Sequence, residues 1–151
     1  RYYDEVIARV AVPNGMVLHR IENATYDLLQ HATAALVTSG TATLETALFG
    51  VPQVVCYKTP VPRLIRWAFT HILSCNYISL VNLIADKEIV AELFADRFSV
   101  EQITAELAQI LPGGAKRSEM LAGYGLVDER LGEERAAQNA ARQMIALLQR
   151  G

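Results

Sequence analysis

Short continuous runs of apolar residues, separated by turn residues and helical patterns, mark the first half of the chain. Two runs, residues 34–37 and 53–57, predict strands that are covered on both faces. Two other runs, residues 16–20 and 77–80, predict further short strands. Because helical patterns lie between these strands, their order predicts a parallel sheet with helices packed on its faces.

Apolar positions at helical spacing predict the remaining elements. Residues 1–12 contain the end of a helix, and a short helix that Asn23 or Thr25 can cap contains Tyr26, Leu28 and Leu29. The other predicted helices are residues 41–49, 63–73, 87–93, 100–110, 116–123 and 133–148. Every pattern after residue 80 is helical. We therefore expect an α/β, Rossmann-like fold with a helical C-terminal half.

Composition and charge narrow the class of protein. The 151 residues are 52% hydrophobic and 20% charged, which fits one globular domain. The net charge of −2 argues against a nucleic-acid partner, which usually requires a basic face. No apolar run reaches the ~20 residues that cross a bilayer, and no signal peptide is visible. The two cysteines form neither a disulfide framework nor a metal-ligand spacing, so a cytoplasmic location is the simplest expectation.

Hydroxyl-bearing residues and a glycine follow the predicted strand at residues 34–37. In a parallel sheet, ligands bind beyond the carboxyl ends of the strands, and the first N–H groups of the helix that begins here favour an anion. Gly40 lets a ligand approach the backbone, and Ser39, Thr41 and Thr43 can add hydroxyl donors. The segment lacks both the P-loop lysine and the three glycines of a dinucleotide motif. It therefore fits a nucleotide diphosphate that is held without a P-loop.

Glu45 lies one turn into the same predicted helix. A capping box would need a hydroxyl three residues earlier, where the chain has Ala42. A carboxylate at Glu45 suits two vicinal ribose hydroxyls. An ordinary first-turn glutamate, favoured by the helix dipole, explains the residue equally well, so the local sequence leaves both interpretations open.

Two amphipathic segments also have two interpretations each. The predicted helix at residues 63–73 is basic and aromatic, which suits a membrane surface, but its apolar face is also adequate for packing on the sheet, and we favour packing. The apolar stripe of the helix at residues 133–148 fits packing on its own lobe, or crossing to another lobe or a second subunit. The three histidines are scattered without metal-ligand spacing.

Two motifs resemble the nucleotide-binding lobe of the lipid-A-disaccharide synthase family. The first is Ser-Gly-Thr-Ala-Thr-Leu-Glu at residues 39–45, followed by Gly-Val-Pro at 50–52 and Val-Val-x-Tyr-Lys at 54–58. The second is Tyr-x-Ser-Leu-x-Asn-Leu at residues 77–83, in which Val81 replaces the family's usual proline. The resemblance covers most of the chain.

The resemblance implies a glycosyltransferase of lipid A biosynthesis with the two-lobed GT-B fold. Such an enzyme transfers 2,3-diacylglucosamine from its UDP derivative to 2,3-diacylglucosamine 1-phosphate and releases UDP. The resemblance assigns the diphosphate to residues 39–41 and the ribose to Glu45, and it places Tyr57 and Asn82 beside the donor. With the hydroxyl of Thr43 included, the candidate donor-site residues are Ser39, Gly40, Thr41, Thr43, Glu45, Tyr57 and Asn82.

Residues 1–151 are accordingly interpreted as part of the C-terminal, UDP-sugar donor lobe. The first residue is Arg1, and the acceptor lobe, its catalytic base and a Pro-Gly-Ser-Arg phosphate loop are absent from this sequence. The resemblance implies no cofactor and no metal, because helix N-termini and basic side chains stabilise the leaving diphosphate in this class. It also implies a UDP-linked lipid donor, a lipid acceptor, peripheral contact with the inner membrane, and a homodimer through the C-terminal helix.

Two other functions stay open at this stage. One is a different UDP-sugar enzyme of the GT-B class, or an epimerase, that binds the same diphosphate and ribose. The other is a non-catalytic α/β module that uses its apolar stripe to bind a partner protein.

Overall fold

A three-stranded sheet and seven α-helices make up the residues described by the computed structural model, which are 2–9, 15–38, 40–58, 77–132 and 136–149. In chain order the elements are α1 (Tyr2–Ile7), α2 (Thr25–His31), β1 (Ala35–Val37), α3 (Thr41–Leu48), β2 (Gln53–Tyr57), α4 (Leu80–Ala85), β3 (Ala91–Phe94), a 3-10 turn (Ala95–Arg97), α5 (Val100–Ile110), α6 (Arg117–Leu131) and α7 (Ala136–Leu148). The α/β class predicted from the sequence is confirmed.

The sheet is parallel, with β2 at its centre in the order β1-β2-β3. Leu36 pairs with Val54, and Val55 pairs with Glu92. Val54 and Val55 are both buried. Because adjacent side chains of a strand point to opposite faces, the sheet is covered on both faces at β2. The parallel order places the carboxyl ends of the strands at one edge, where α3 begins after β1.

Helices α3 and α5 pack on the sheet, and α6 packs against α3, α4 and α5. Serine side chains begin two of the helices: the Ser79 hydroxyl accepts the N–H of Asn82 at the start of α4, and the Ser99 hydroxyl accepts the N–H of Gln102 at the start of α5. Each cap satisfies an N–H that has no partner inside the helix. The predicted bounds of α5 agree with the structure.

A buried polar bridge holds α3 on the sheet. The side-chain amide of Gln53 donates to the Thr43 carbonyl at 2.8 Å and to the Tyr124 hydroxyl at 3.4 Å. The Tyr124 hydroxyl donates in turn to the Val51 carbonyl at 3.0 Å. Burial raises the pKa of Tyr124 to about 12, so this hydroxyl stays a donor at neutral pH. The bridge fixes the helix that carries Glu45.

The prediction of a helix at residues 87–93 is wrong. This segment is a loop that leads into β3, so the second half of the chain contributes a strand and is not all helical. Ile89, Val90, Leu93 and Phe94 fit helical spacing. The strand forms instead because β2 offers its backbone as a partner, and Glu92 is buried through hydrogen bonds that a sequence pattern does not reveal.

Two predicted strands are also wrong. Residues 16–20 have no regular structure, and residues 77–79 form an irregular entry to α4. Ser79 takes the N-cap conformation there, which starts a helix where the apolar pattern indicated a strand. Neither Asn23 nor Thr25 caps α2, whose N-cap residue is Ala24 without a side-chain hydrogen bond.

The two amphipathic segments have different outcomes. The predicted helix at residues 63–73 lies outside the described residues. The terminal helix is present as α7, where Met144, Ile145 and Leu148 expose 65%, 56% and 81% of their surface. None of the helices in the described ranges is long and apolar enough to cross a bilayer.

Candidate functional site

The start of α3 is built on a conformation that favours glycine. Gly40 has φ of +109° and ψ of −160°, a region that is essentially restricted to glycine. The Thr43 hydroxyl donates to the Gly40 carbonyl at 2.8 Å, and the Thr43 N–H bonds to the same oxygen at 3.2 Å. These contacts fix the turn between β1 and α3, so the helix begins at the carboxyl edge of the sheet.

The predicted phosphate-contact residues differ in their access to solvent. Gly40 and Thr41 are exposed at the start of α3, where a ligand can approach them. Thr43 is fully buried, and its hydroxyl is used within the turn. Its observed contacts therefore make it a support for the helix start. Ser39 lies outside the described residues.

Glu45 lines a cavity next to this helix start. The cavity has a volume of about 440 Å³, and its other lining residues are Asn23, Ala24, Thr25, Tyr26 and Asp27. Glu45 itself is half-buried. The Tyr26 hydroxyl lies 3.5 Å from the Glu45 carboxylate, in position to donate to it. The structure thus combines a carboxylate, a tyrosine hydroxyl and the N-terminal segment of α2 in one concave surface.

Tyr26, which lines this surface, is stacked on a second aromatic ring. The rings of Tyr26 and Phe49 stack with centroids 5.5 Å apart and an angle of 18° between their planes. Asn23 contributes a left-handed backbone conformation, with φ of +58°, at the entry to α2. Sequence reasoning missed this wall of the cavity. The sequence predicted Asn23 as a candidate helix cap and Tyr26 as a helix residue, but no sequence signal indicated that α2 contacts Glu45.

Tyr57 is the last residue of β2 and is 45% exposed, so it stands at the same edge of the sheet as the start of α3. Its ladder partner on β3 is Phe94. Tyr57 is not among the residues that line the Glu45 cavity. The structure therefore places it near the carboxyl edge without joining it to Glu45.

Asn82 is fully buried, and its side-chain amide is completely used. The nitrogen donates to the Val90 carbonyl and to the Glu92 carboxylate, both at 2.9 Å. The oxygen accepts the N–H groups of Ile89 at 2.8 Å and Val90 at 3.0 Å. An asparagine amide has two donors and two acceptor sites. None is left for a ligand in this arrangement, so the observed hydrogen bonds of Asn82 support the fold. Its predicted position beside the donor stays a prediction.

The partner of Asn82 is a buried carboxylate that sequence reasoning overlooked. Glu92 is 8% exposed and accepts four hydrogen bonds. Its Oε1 accepts the Ser79 N–H at 2.9 Å, the Ser79 hydroxyl at 2.7 Å and the Asn82 amide at 2.9 Å, while its Oε2 accepts the Ile78 N–H at 2.9 Å. The second motif, residues 77–83, thus ties α4 to β3 through Glu92.

Within the described ranges, no group of three or more histidine, cysteine, aspartate or glutamate side chains is placed to hold a metal ion. Cys56 lies in β2, and burial raises the pKa of its thiol. A raised pKa keeps the thiol neutral and unreactive, which fits a small, partly buried residue packed against the core.

The amino-acid sequence matches one family of proteins over nearly its whole length. A sequence model described as lipid-A-disaccharide synthetase matches residues 3–147. The chain belongs to the lipid-A-disaccharide synthetase family. The resemblance seen in the two motifs is thereby confirmed, and the match extends beyond them to α1 and to α7.

Curated members of the lipid-A-disaccharide synthetase family align with most of the chain. The lipid-A-disaccharide synthase of Syntrophus aciditrophicus is 38% identical over 140 residues, which are 93% of this chain and 36% of the relative. That of Myxococcus xanthus is 36% identical over 131 residues, 87% of this chain and 34% of the relative. That of Geobacter sulfurreducens is 31% identical over 145 residues, which are 96% of this chain and 37% of the relative. The chain spans about a third of the length of these relatives.

Proposed function

We propose that this chain is the donor-binding part of a lipid-A-disaccharide synthase. The complete enzyme transfers 2,3-diacylglucosamine from its UDP derivative to 2,3-diacylglucosamine 1-phosphate and releases UDP. In this proposal residues 1–151 belong to the C-terminal lobe of a GT-B enzyme, and the acceptor site and catalytic base lie outside them. The names of the relatives support the reaction, and the Glu45 cavity beside the start of α3 supports the placement of the donor.

The position of Glu45 carries this proposal. Glu45 follows Thr41 by four residues, or ~6 Å along a helix axis. That separation suits one nucleotide whose diphosphate meets the helix start while its ribose hydroxyls meet the carboxylate. A carboxylate offers about four acceptor sites on two oxygens, enough for both vicinal hydroxyls. The cavity of about 440 Å³ next to Glu45 then receives the nucleoside.

The diphosphate is the chemically important group, because it leaves with negative charge when the sugar is transferred. Backbone N–H groups at the start of α3, together with the hydroxyls of Ser39 and Thr41, are proposed to stabilise that charge. Gly40 permits the close approach of the phosphate oxygens. No resident cofactor or metal is required for this stabilisation. Tyr57 and Asn82 are kept as residues beside the donor; the hydrogen bonds of Asn82 hold the junction of α4 and β3.

Two finer proposals follow from the family. The enzyme acts at the cytoplasmic face of the inner membrane, where its lipid substrates lie, by peripheral contact. The exposed apolar stripe of α7, with Met144, Ile145 and Leu148, packs in a homodimer. The first is checked by flotation of the full-length protein with anionic vesicles, and the second by its mass in light scattering.

The donor site is tested by changing Glu45 to alanine in the full-length protein and titrating UDP by calorimetry. Loss of hydrogen bonds to a charged group is expected to weaken UDP binding by ~1.5–3 kcal/mol, which is about 10- to 150-fold. The Glu129→Ala variant is the matched control, because Glu129 is exposed on α6, away from the cavity. Equal UDP affinity in Glu45→Ala and the parent would refute the ribose assignment. If the parent also fails to bind UDP, the interaction-module interpretation gains support.

A further inference from the structure

One side chain links the two walls of the Glu45 cavity. Tyr26 comes from α2, and it meets α3 twice: its hydroxyl lies 3.5 Å from the Glu45 carboxylate, and its ring stacks on Phe49 at 5.5 Å. Glu45 and Phe49 are four residues apart, so they lie on the same face of α3. A single tyrosine therefore contacts both the carboxylate and the aromatic ring next to it on that face.

The stack sets the position of the hydroxyl. A tyrosine side chain has two rotatable torsions, and a nearly parallel ring contact restricts both. Tyr26 is 56% exposed, so the protein core does little to hold its ring. The ring is held instead by its stacking on Phe49. Fixing the ring plane fixes where the hydroxyl oxygen meets Glu45.

The contact with Glu45 leaves the carboxylate available to a ligand. The oxygen–oxygen distance of 3.5 Å exceeds the usual ~2.7–2.8 Å of an O–H···O hydrogen bond. A donor at this distance uses at most one of about four acceptor sites of the carboxylate. A long hydrogen bond of this kind still favours one orientation of the carboxylate, while it leaves the other acceptor sites of Glu45, which lines the cavity, unused by the hydroxyl.

We propose that Tyr26 is a positioning residue that orients Glu45 toward the 2′-hydroxyl of the donor's ribose. This inference rests on the proposed function, because it takes Glu45 as the ribose acceptor. Tyr26 acts through Glu45: its hydroxyl holds one carboxylate oxygen, and Phe49 holds its ring. The arrangement makes the nucleotide site selective for a ribonucleotide over its 2′-deoxy analogue.

The test compares UDP with 2′-deoxy-UDP on the full-length protein by calorimetry. The measured quantity is the ratio of the two dissociation constants, for the parent, Tyr26→Phe, Glu45→Ala and the double variant. Tyr26→Phe keeps the ring stack and removes only the hydroxyl. Tyr3→Phe is the matched control, because Tyr3 is an exposed tyrosine of α1 that does not line the cavity.

The proposal expects the parent to prefer UDP and Glu45→Ala to lose that preference. Tyr26→Phe should weaken UDP binding by about two- to tenfold and reduce the ratio, with 2′-deoxy-UDP much less affected. The double variant should bind UDP no more weakly than Glu45→Ala alone, because residues that act through one contact are not additive. Phe49→Leu, which keeps the hydroxyl but loosens the stack, should change the ratio in the same direction.

Three results would overturn the proposal, and they differ in what else they refute. If Tyr26→Phe weakens both nucleotides equally, Tyr26 only shapes the cavity. If Tyr26→Phe binds both nucleotides as the parent does, the hydroxyl has no role. In both cases the proposed donor site would still be supported if Glu45→Ala loses UDP binding. If Glu45→Ala itself keeps the parent's affinity and ratio, the ribose assignment fails and the role of Tyr26 fails with it.

Discussion

Replacing Glu92 with glutamine is expected to loosen the segment that leads into α4, because an amide cannot accept all four hydrogen bonds of the carboxylate. Oε1 of Glu92 accepts three donors, and Oε2 accepts the Ile78 N–H. A glutamine with its oxygen at the Oε1 position turns an NH₂ group toward the Ile78 N–H. The opposite orientation turns the NH₂ group toward three donors and is worse.

The magnitude follows from this count of donors. The Ile78 N–H, which lies in a partly buried contact, loses its partner, and a donor left unpaired on burial costs ~1–3 kcal/mol. The three remaining hydrogen bonds lose the assistance of the charge, and each weakens by about 1 kcal/mol. Removing a buried charge offsets part of that loss, because the ion no longer has to be desolvated. We expect the free energy of opening this segment to fall by about 2–4 kcal/mol.

Hydrogen exchange measured by mass spectrometry on the full-length protein is the appropriate assay, since it reports local opening. Peptides that cover residues 77–83 should exchange roughly 30- to 700-fold faster in Glu92→Gln than in the parent, because each 1.4 kcal/mol is about tenfold. Glu88→Gln is the matched control. Glu88 is exposed in the loop before β3, so its change should stay within about 0.5 kcal/mol.

Unchanged exchange in residues 77–83 of Glu92→Gln would refute the reasoning. It would mean that the carboxylate contributes no net stability to the junction of α4 and β3. Faster exchange across the whole protein would place the effect in global unfolding and not in this segment.

Two further changes test the framework that holds α3. Because burial raises the folded-state pKa of Tyr124 to about 12, above the ordinary ~10, its neutral form stabilises the fold fully below pH 10, and this contribution is lost between about pH 10 and 12. The urea midpoint should fall over that window in the parent, and a fall of the same size in Tyr124→Phe would contradict the assignment. Gly40→Ala should cost ~1–3 kcal/mol through its backbone conformation alone, because an added Cβ meets no atom within 4 Å. Gly125→Ala in α6 is the control, because a Cβ added there also meets no atom within 4 Å. This variant should be more stable than the parent by about 0.5–1 kcal/mol. Equal urea midpoints for the two alanine variants would refute the strain argument.

Local pattern was sufficient where an element depends on its own residues. Strand β2 has the predicted bounds because five largely apolar residues lie between a proline and a polar connector. Helix α5 has them because Ser99 caps its first turn and Leu111 and Pro112 end it. The glycine before α3 was also recognisable as a special position, and the backbone at Gly40 does take a conformation that only glycine suits. These features rest on neighbours in the sequence.

The errors share the opposite cause. Strand β3 was predicted as part of a helix because its spacing fits both structures, and its pairing with β2 decides between them. The partners of Asn82 show the same limit of local pattern: its motif is recognisable, but residues 89–92, which fill its hydrogen-bonding capacity, lie outside that motif. Its place beside the donor stays a prediction. The wall of the Glu45 cavity that residues 23–27 form was not predicted, because no pattern within α2 indicates its contact with α3.

The sequence by itself determined the α/β class, the glycine at the start of α3, the candidate carboxylate Glu45 and the family. Tertiary structure decided which polar side chains remain available to a ligand. Glu45 meets Tyr26 across 19 residues and stays at a cavity, whereas Asn82 meets Glu92 across 10 residues and is fully used. Sequence motifs record which residues are present, but a hydrogen-bonding group has a limited capacity. Only the packing of distant segments shows which partners each group bonds to and whether any donor or acceptor is left for a ligand.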